Sequence, residues 1–362
     1  MSITTVTAAQ AMAADAPFDA VIDVRSPAEF AEDHLPGALN WPVLDDDERR
    51  IVGTLYVQDS PLAARKVGGA LVARNLARHV EQQLQDRPRD WRPLVYCWRG
   101  GQRSGALVWM LDQIGFRTHK LGGGYKAFRS AVRAELDALP AALTLTVLAG
   151  RTGSGKTRLL GALATEGAQV LDLEALAAHR GSVLGGLPDQ PQPSQKRFDT
   201  LLWSALRALD PARPVFVESE SKKIGQLQLP ESLVRRMRDH GRCIRVAMDD
   251  AARTQLLLQD YGFFAAQPQR FCDLLDGLNT LRGRERVLRW QTMAHGGDWA
   301  TLFGELMREH YDPLYEQSMA SHYPGLAGAT VVELADGGPD ALRQAARAAL
   351  SLVEQKAGIA AP

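Results

Sequence analysis

Two short stretches carry residues whose types and spacing suit chemistry at an anion. The first is Tyr96 to Ser104, YCWRGGQRS, where a single cysteine precedes a basic, glycine-rich turn. A thiolate held at the end of a strand and just before a helix N-terminus is stabilised by inward-pointing main-chain N–H groups, which favours nucleophilic attack at neutral pH. Gly100 and Gly101 permit the tight path this needs, and Arg103 can hold an oxyanion in front of the Cys97 sulfur. Trp98, Arg99, Gln102 and Ser104 complete the loop, and Trp98 is a candidate to stack on a splayed base. The second stretch is Gly150-Arg151-Thr152-Gly153-Ser154-Gly155-Lys156-Thr157, which fits G-x-x-x-x-G-K-[ST]. Such a loop surrounds a di- or triphosphate with N–H groups, neutralises it with the lysine and offers the threonine hydroxyl to Mg²⁺.

Further residues follow from these two. PVFVESES (Pro214 to Ser221) ends an apolar run in acids, so Glu218 or Glu220 can serve with Thr157 in holding the metal. Arg282, Arg284, Arg286 and Arg289 form a basic set in which i, i+4 pairs share a helix face, a candidate footing for nucleic-acid phosphates. Arg235, Arg236, Arg238 and Arg242 form a second cluster. A solvated helix face explains either set equally well.

Elements must place these loops. FDAVID from Phe18 reads as a buried strand, followed by a helical turn closed at Pro36-Gly37 and an extended piece. A helix over Gly69 to Gln85 leads to the strand Pro93 to Cys97, which stops at the cysteine loop. A helix over Ser104 to Ile114, a strand over Phe116 to Leu121 and the triplet Gly122-Gly123-Gly124 follow. The helical stretch Lys126 to Leu139 reaches Pro140 and links to a second α/β pattern. There, Leu143 to Ala149 is the strand before the phosphate loop, with more strands at Gln169 to Leu173, Pro214 to Glu218, Ile244 to Met248 and Thr330 to Leu334. Gly186 to Gln195 is a loop rich in Pro and Gln. Alternating strands and helices imply parallel sheets covered on both faces.

The chain's 362 residues suffice for two cores, and 45% hydrophobic content is that of a soluble globular protein. Lys plus Arg and Asp plus Glu both total 42, so a nucleic-acid site must be a local patch rather than a general positive field. No apolar run approaches the roughly 20 residues a membrane helix needs, and the first residues lack a signal-peptide pattern, so a cytoplasmic location and no membrane partner are expected. Cys97, Cys243 and Cys272 are odd in number and widely spaced, which indicates neither a disulfide framework nor a zinc site.

The loop CWRGGQRS and the upstream DVRSPAEFAEDHLPGALN, with Asp23, Arg25, Glu29, His34, Pro36, Gly37 and Ala38, resemble the rhodanese family. The upstream signature reads as scaffold for the sheet. Sulfur-transferring rhodaneses have a loop one residue shorter; Cys97 to Arg103 follows the C-x5-R spacing of phosphatases on the same fold and suits a larger, phosphate-like oxyanion. The order of the two loops, together with DLEALAAHRGSVLG (Asp172 to Gly185), VESESKKIG and HYDPLYEQS (His310 to Ser318), resembles the tRNA 2-selenouridine synthases. That resemblance implies an α/β chain with a rhodanese-like parallel-sheet domain over 1–138. It also implies a P-loop NTPase-like α/β domain over 139–362 with a mostly helical segment at about 251–321. It further implies conversion of wobble 2-thiouridine in tRNA to 2-selenouridine, by S-geranylation from geranyl diphosphate and then selenation from selenophosphate through a selenium-carrying Cys97. The partners are then tRNA and the two small substrates, with Mg²⁺ and no covalently bound cofactor. Two other readings stand beside this: a rhodanese-fold phosphatase, against which Tyr96 counts, and a redox-sensing nucleotide-binding module.

Overall fold

Apolar runs with no polar alternation must lie between two layers, and the two strands that precede the loops do so. Pro93–Tyr96 and Leu145–Ala149 are buried at every position. The structure, a computed structural model, describes residues 3–182, 185–186 and 190–357. Positions 187–189 of the Pro/Gln-rich loop and 183–184 of the DLEALAAHRGSVLG stretch lie outside the described residues.

The chain divides into two units, Met1–Glu135 with Pro193–Ser204, and Leu136–Gln192 with Ala205–Pro362. The first holds five strands, β1 (Thr4–Val6), β2 (Ala20–Asp23), β3 (Leu39–Asn40), β4 (Pro93–Tyr96) and β5 (His119–Leu121). They form one parallel sheet in the order β1-β5-β4-β2-β3. Strand β1 was not among the expected elements; its three residues carry too little pattern to be read alone. Nor was the helix Asp46–Gln58, which precedes a longer one, Pro61–Gln83.

Segment 193–204 departs from the expected division at 138/139. Its helix, Gln195–Arg207, is tied to the first unit: Thr200 Oγ1 donates to the buried Asp33 carboxylate at 2.9 Å, Arg129 pairs with Asp199 at 2.7 Å, and Trp203 packs edge-on against Phe128. Such long-range polar anchoring leaves no local trace in the chain.

The second unit holds β6 (Leu145–Ala149), β7 (Gln169–Leu171), β8 (Val215–Glu218), the small antiparallel pair β9 (Lys223–Ile224) and β10 (Leu227–Gln228), β11 (Arg242–Ala247) and β12 (Thr330–Glu333). Its parallel sheet runs β12-β11-β6-β8-β7, with a core shared between the sheet and the helices Lys156–Thr165 and Pro339–Ala357. Strand order reverses on the two sides of β6, the topological position where α/β folds bind ligands beyond the strand ends. A separate helical core around Trp290, Phe271, Phe264 and Leu302 occupies the region expected to be helical. No helix among the described residues is long and apolar enough to cross a membrane.

Candidate functional site

Cys97 follows β4, the middle strand of its sheet, and the next helix begins at Gln102. Between them the N–H groups of Trp98 to Gly101 donate to no acceptor among the described residues, so the loop is an open cradle of donors. Its shape is imposed from outside by the glycine turn that ends β5. Tyr125 N donates to Cys97 O at 2.9 Å and Lys126 N to Trp98 O at 3.0 Å. Gly124 has φ +58, and a Cβ there would lie 2.2 Å from Cys97 O and 2.5 Å from Gly100 N. The triplet expected merely to close a strand is therefore the clamp on the loop.

Cys97 is a free thiol, and the residue is only 3% exposed. Its Sγ lies 3.2 Å from Ser104 Oγ, which also reaches Gly101 O. Arg103 is not idle: its two terminal nitrogens grip Glu29 at 2.6 and 3.2 Å. Burial acts to raise the Glu29 carboxyl, but the hydrogen bonds and charge of Arg103 outweigh it and hold it below the ordinary value. Glu29 therefore belongs to the site rather than to the scaffold alone. The rest of its signature is scaffold: Arg25, fully buried, forms paired bonds to Asp23, donates to Asp33 O, and lies 3.9 Å from the Tyr125 ring centre. His34 stacks on Phe30. Trp98 packs against Tyr125 at 5.4 Å, while Arg99, Gly101 and Gln102 are exposed.

The phosphate loop follows β6, and β8 runs beside it with Leu148 opposite Glu218, so Gly150 and the end of β8 open on the same edge of the sheet. Lys156 Nζ donates to Gly150 O at 2.7 Å and to Arg151 O at 3.3 Å, within the loop itself. Thr157 Oγ1 donates to Glu174 Oε2 at 3.3 Å. Glu174, Glu218 and Glu220 bring carboxylate oxygens within 4.8 Å of one another. Glu218 and Glu220 are 2% and 8% exposed, and Glu218 Oε1 has no hydrogen-bond partner.

Burial, then repulsion from Glu218 and Glu220, pushes Glu174 up to about 9. Burial, then Glu218, pushes Glu220 up to about 8, and burial raises Glu218 also. Three crowded carboxylates beside one lysine, two of them buried, are driven toward holding protons or taking a cation, and this all-oxygen set with the Thr157 hydroxyl suits a hard divalent ion. Glu174 was missed from sequence, although it lies in a stretch that carried family resemblance.

HYDPLYEQS also gains a role. The helix Trp299–Leu306 continues through a π-helical turn, Met307–Tyr311, into Asp312–His322. Asp312 takes paired bonds at 2.9 and 2.6 Å from Arg253, which is 1% exposed and donates to Thr152 O at 2.7 Å. The motif thus braces the phosphate loop through Arg253. His310 is buried beside Arg282, whose Nε–H donates to His310 Nδ1 at 2.9 Å.

This last contact bears on the expected basic footing. Arg282 is spent on His310, Arg286 pairs with Glu309 at 2.9 Å, and Arg289 pairs with Glu305 and Glu309; Arg284 is exposed. Glu305 and Glu309, some twenty positions further on, thus compensate two of the four arginines, which leaves less free positive charge than the spacing suggested. In the second cluster, Arg236 donates to Leu143 O.

Two cavities flank the loop. One, of about 460 Å³, is lined by Lys156, Thr157, Glu174, Arg180 and Glu218 among others. The other, of about 610 Å³, starts at Gly150 and Ser154 and is lined both by apolar groups, including Met248, Pro324 and Leu326, and by Arg151, Arg245 and Arg253. Tyr315 and Met319 line both.

Residues 5–131 match the family model described as a rhodanese-like domain, and residues 143–282 match the one described as the tRNA 2-selenouridine synthase AAA domain. Proteins named tRNA 2-selenouridine synthase are similar over most of the chain. That of Nitrosomonas europaea is 37% identical over 277 residues, 75% of this chain and 71% of that protein. That of Alcanivorax borkumensis is 33% identical over 335 residues, 83% of this chain and 89% of that protein. That of Chromohalobacter salexigens is 35% identical over 325 residues, 83% and 88% respectively.

Proposed function

The chain belongs to the tRNA 2-selenouridine synthase family, enzymes of tRNA selenouridine modification, and on that premise we propose that it works on wobble 2-thiouridine of tRNA in two steps. In the first, the C2 sulfur attacks C1 of geranyl diphosphate, the C1–O bond breaks, and pyrophosphate leaves. In the second, selenium from selenophosphate replaces the geranylthio group at C2, in a step that depends on Cys97. Alkylation turns a poor leaving group into a thiol-type one, so activation precedes exchange.

The observation that carries the first step is the pair of cavities meeting at Tyr315 and Met319. One holds Lys156 and Thr157, and the other combines apolar groups such as Met248, Pro324 and Leu326 with Arg151, Arg245 and Arg253, so together they have room for a diphosphate head and a hydrocarbon tail. Gly150 to Thr157 would cradle the diphosphate, and Lys156 would neutralise the charge developing on pyrophosphate. Glu174, Glu218 and Glu220 with Thr157 would hold Mg²⁺, which supplies charge stabilisation to the leaving group. The cradle and Arg103 would take the tetrahedral selenophosphate.

The test is mass spectrometry of the wobble nucleoside after reaction with each of two variants. Lys156→Ala leaves 2-thiouridine unalkylated, whereas Cys97→Ser accumulates S-geranyl-2-thiouridine. Undiminished geranyl transfer by Lys156→Ala, with an unchanged KM for geranyl diphosphate, removes the phosphate loop from the first step.

A further inference from the structure

Granting that selenophosphate is used at the Cys97 loop, which atom the sulfur attacks is still open. Attack at selenium would form an S–Se bond and return the Se–P electron pair to phosphorus, which would leave as reduced phosphite. Attack at phosphorus needs no change of oxidation state. The loop is built for the second course. Cys97 to Arg103 spans C-x5-R, one residue more than a sulfur-transfer loop; the N–H groups of Trp98 to Gly101 donate to no acceptor among the described residues, and Cys97 at the start of the loop is 3% exposed. A tetrahedral oxyanion bound by those N–H groups through its oxygens would present its central atom to the sulfur. Arg103 is held by Glu29 through its terminal nitrogens, and its Nε–H has no partner among the described residues, so that edge is available to the anion. Ser104 Oγ, 3.2 Å from Sγ, can donate to the sulfur whenever it carries charge, including when it departs from phosphorus.

We infer that Cys97 attacks the phosphorus of selenophosphate and becomes S-phosphocysteine, delivering selenide beside the loop. The S–P bond forms, the P–Se bond breaks, and its electron pair leaves with selenium as HSe⁻. The selenide then attacks C2 of the S-geranyl nucleoside, C2–Se forms, C2–S breaks, and the geranylthiolate takes a proton from water. Water next attacks phosphocysteine, the P–S pair returns to Cys97, and phosphate departs. The sum is redox-neutral and consumes one water per selenium transferred. In this scheme the selenium is not carried on Cys97.

Three measurements on the full chain decide this. With selenophosphate labelled with radioactive phosphorus, an alkaline quench should show the label on Cys97, and the phosphorus product should be phosphate. With inorganic phosphate alone in ¹⁸O-water, the protein should catalyse oxygen exchange, and Cys97→Ser should not. Ser104→Ala should slow phosphocysteine hydrolysis at least about tenfold, the worth of one hydrogen bond to a charged group, and so raise the trapped phosphoenzyme. Selenium on Cys97 without phosphorus, no oxygen exchange, or phosphite as product would each overturn the inference. If Cys97→Ser still yields selenouridine, the premise that selenation depends on this loop fails instead.

Discussion

The two glycine loops follow the middle strands of two parallel sheets and offer main-chain donors to an anion, yet their charges are arranged in opposite ways. In the cysteine loop Arg103 is already paired with Glu29, which Arg49 also approaches at 3.8 Å, while Arg99 is exposed. In the phosphate loop a single lysine, bonded only to carbonyls of its own loop, faces three crowded carboxylates. The walls differ too. The cysteine loop is pressed by backbone, through Cys97 O and Tyr125 N, whereas in the phosphate loop the pressure is mixed: a Cβ on Gly150 would meet Val246 O at 2.7 Å, but one on Gly155 would meet side chains, Leu334 at 2.7 Å and Met248 at 3.4 Å. In the first loop one arginine is met by a carboxylate of the protein itself; in the second, the crowded carboxylates are left to protons or a cation.

The largest effect that sharpens this contrast concerns the carboxylates. Because Glu174 and Glu220 lie at about 9 and about 8, they are protonated at neutrality in the metal-free protein, and a cation must displace those protons. Mg²⁺ affinity should therefore rise from pH 7 to pH 9. Calorimetry in two buffers of different ionisation enthalpy should register proton release. Glu218→Gln should weaken cation binding and the geranyl-transfer step by about 100-fold, while Cys97-dependent chemistry on already geranylated tRNA is unaffected. Cation binding with no proton release would mean that the two sites are compensated alike.

A smaller effect separates the walls. Gly124→Ala places a methyl against the Cys97 carbonyl at φ +58, and backbone cannot step aside cheaply; it should cost about 3 kcal/mol. Gly155→Ala at φ +78 meets the ends of flexible side chains and should cost about 1 kcal/mol. Denaturant midpoints of the two variants measure this, and equal losses would erase the distinction.

The two cradles were legible in the chain because both are local: a strand, a few glycines and a helix start in continuous sequence fix where the N–H groups point. The parallel α/β character followed from apolar runs such as PLVY and LTVLA for the same reason. What escaped was every pairing across distance. Glu29 meets Arg103 from 74 positions away, Asp312 meets Arg253 from 59, and Glu174 joins Thr157 from another strand's end. A carboxylate has no periodicity that announces its partner. The arginines from 282 to 289 show the converse failure: a row of like charges looks like an open surface until Glu305 and Glu309 return to compensate two of them. The family resemblance of DLEALAAHRG and HYDPLYEQS pointed at Glu174 and Asp312 without saying what either touches.

The smallest effect tests whether the phosphate-loop unit carries its own acid sensitivity. Burial first, then the Arg282 charge, pushes His310 down to about 4 from the ordinary 6.5, and Arg282 already occupies its Nδ1. Between those two values the unfolded chain binds a proton that the folded one refuses. The sign is fixed: the contribution is fully present above pH 6.5 and is lost as pH falls toward 4. His310→Phe removes the proton acceptor and keeps an apolar ring, so the difference in melting temperature between wild type and variant should shrink as the pH is lowered through this window. Other histidines, the half-buried His34 and His79 among them, are also held low and act in both proteins, so the difference isolates His310. A difference that stays constant from pH 7 to pH 4 would mean that His310 takes up its proton inside the fold, and the clasp by Arg282 would then have to open in acid.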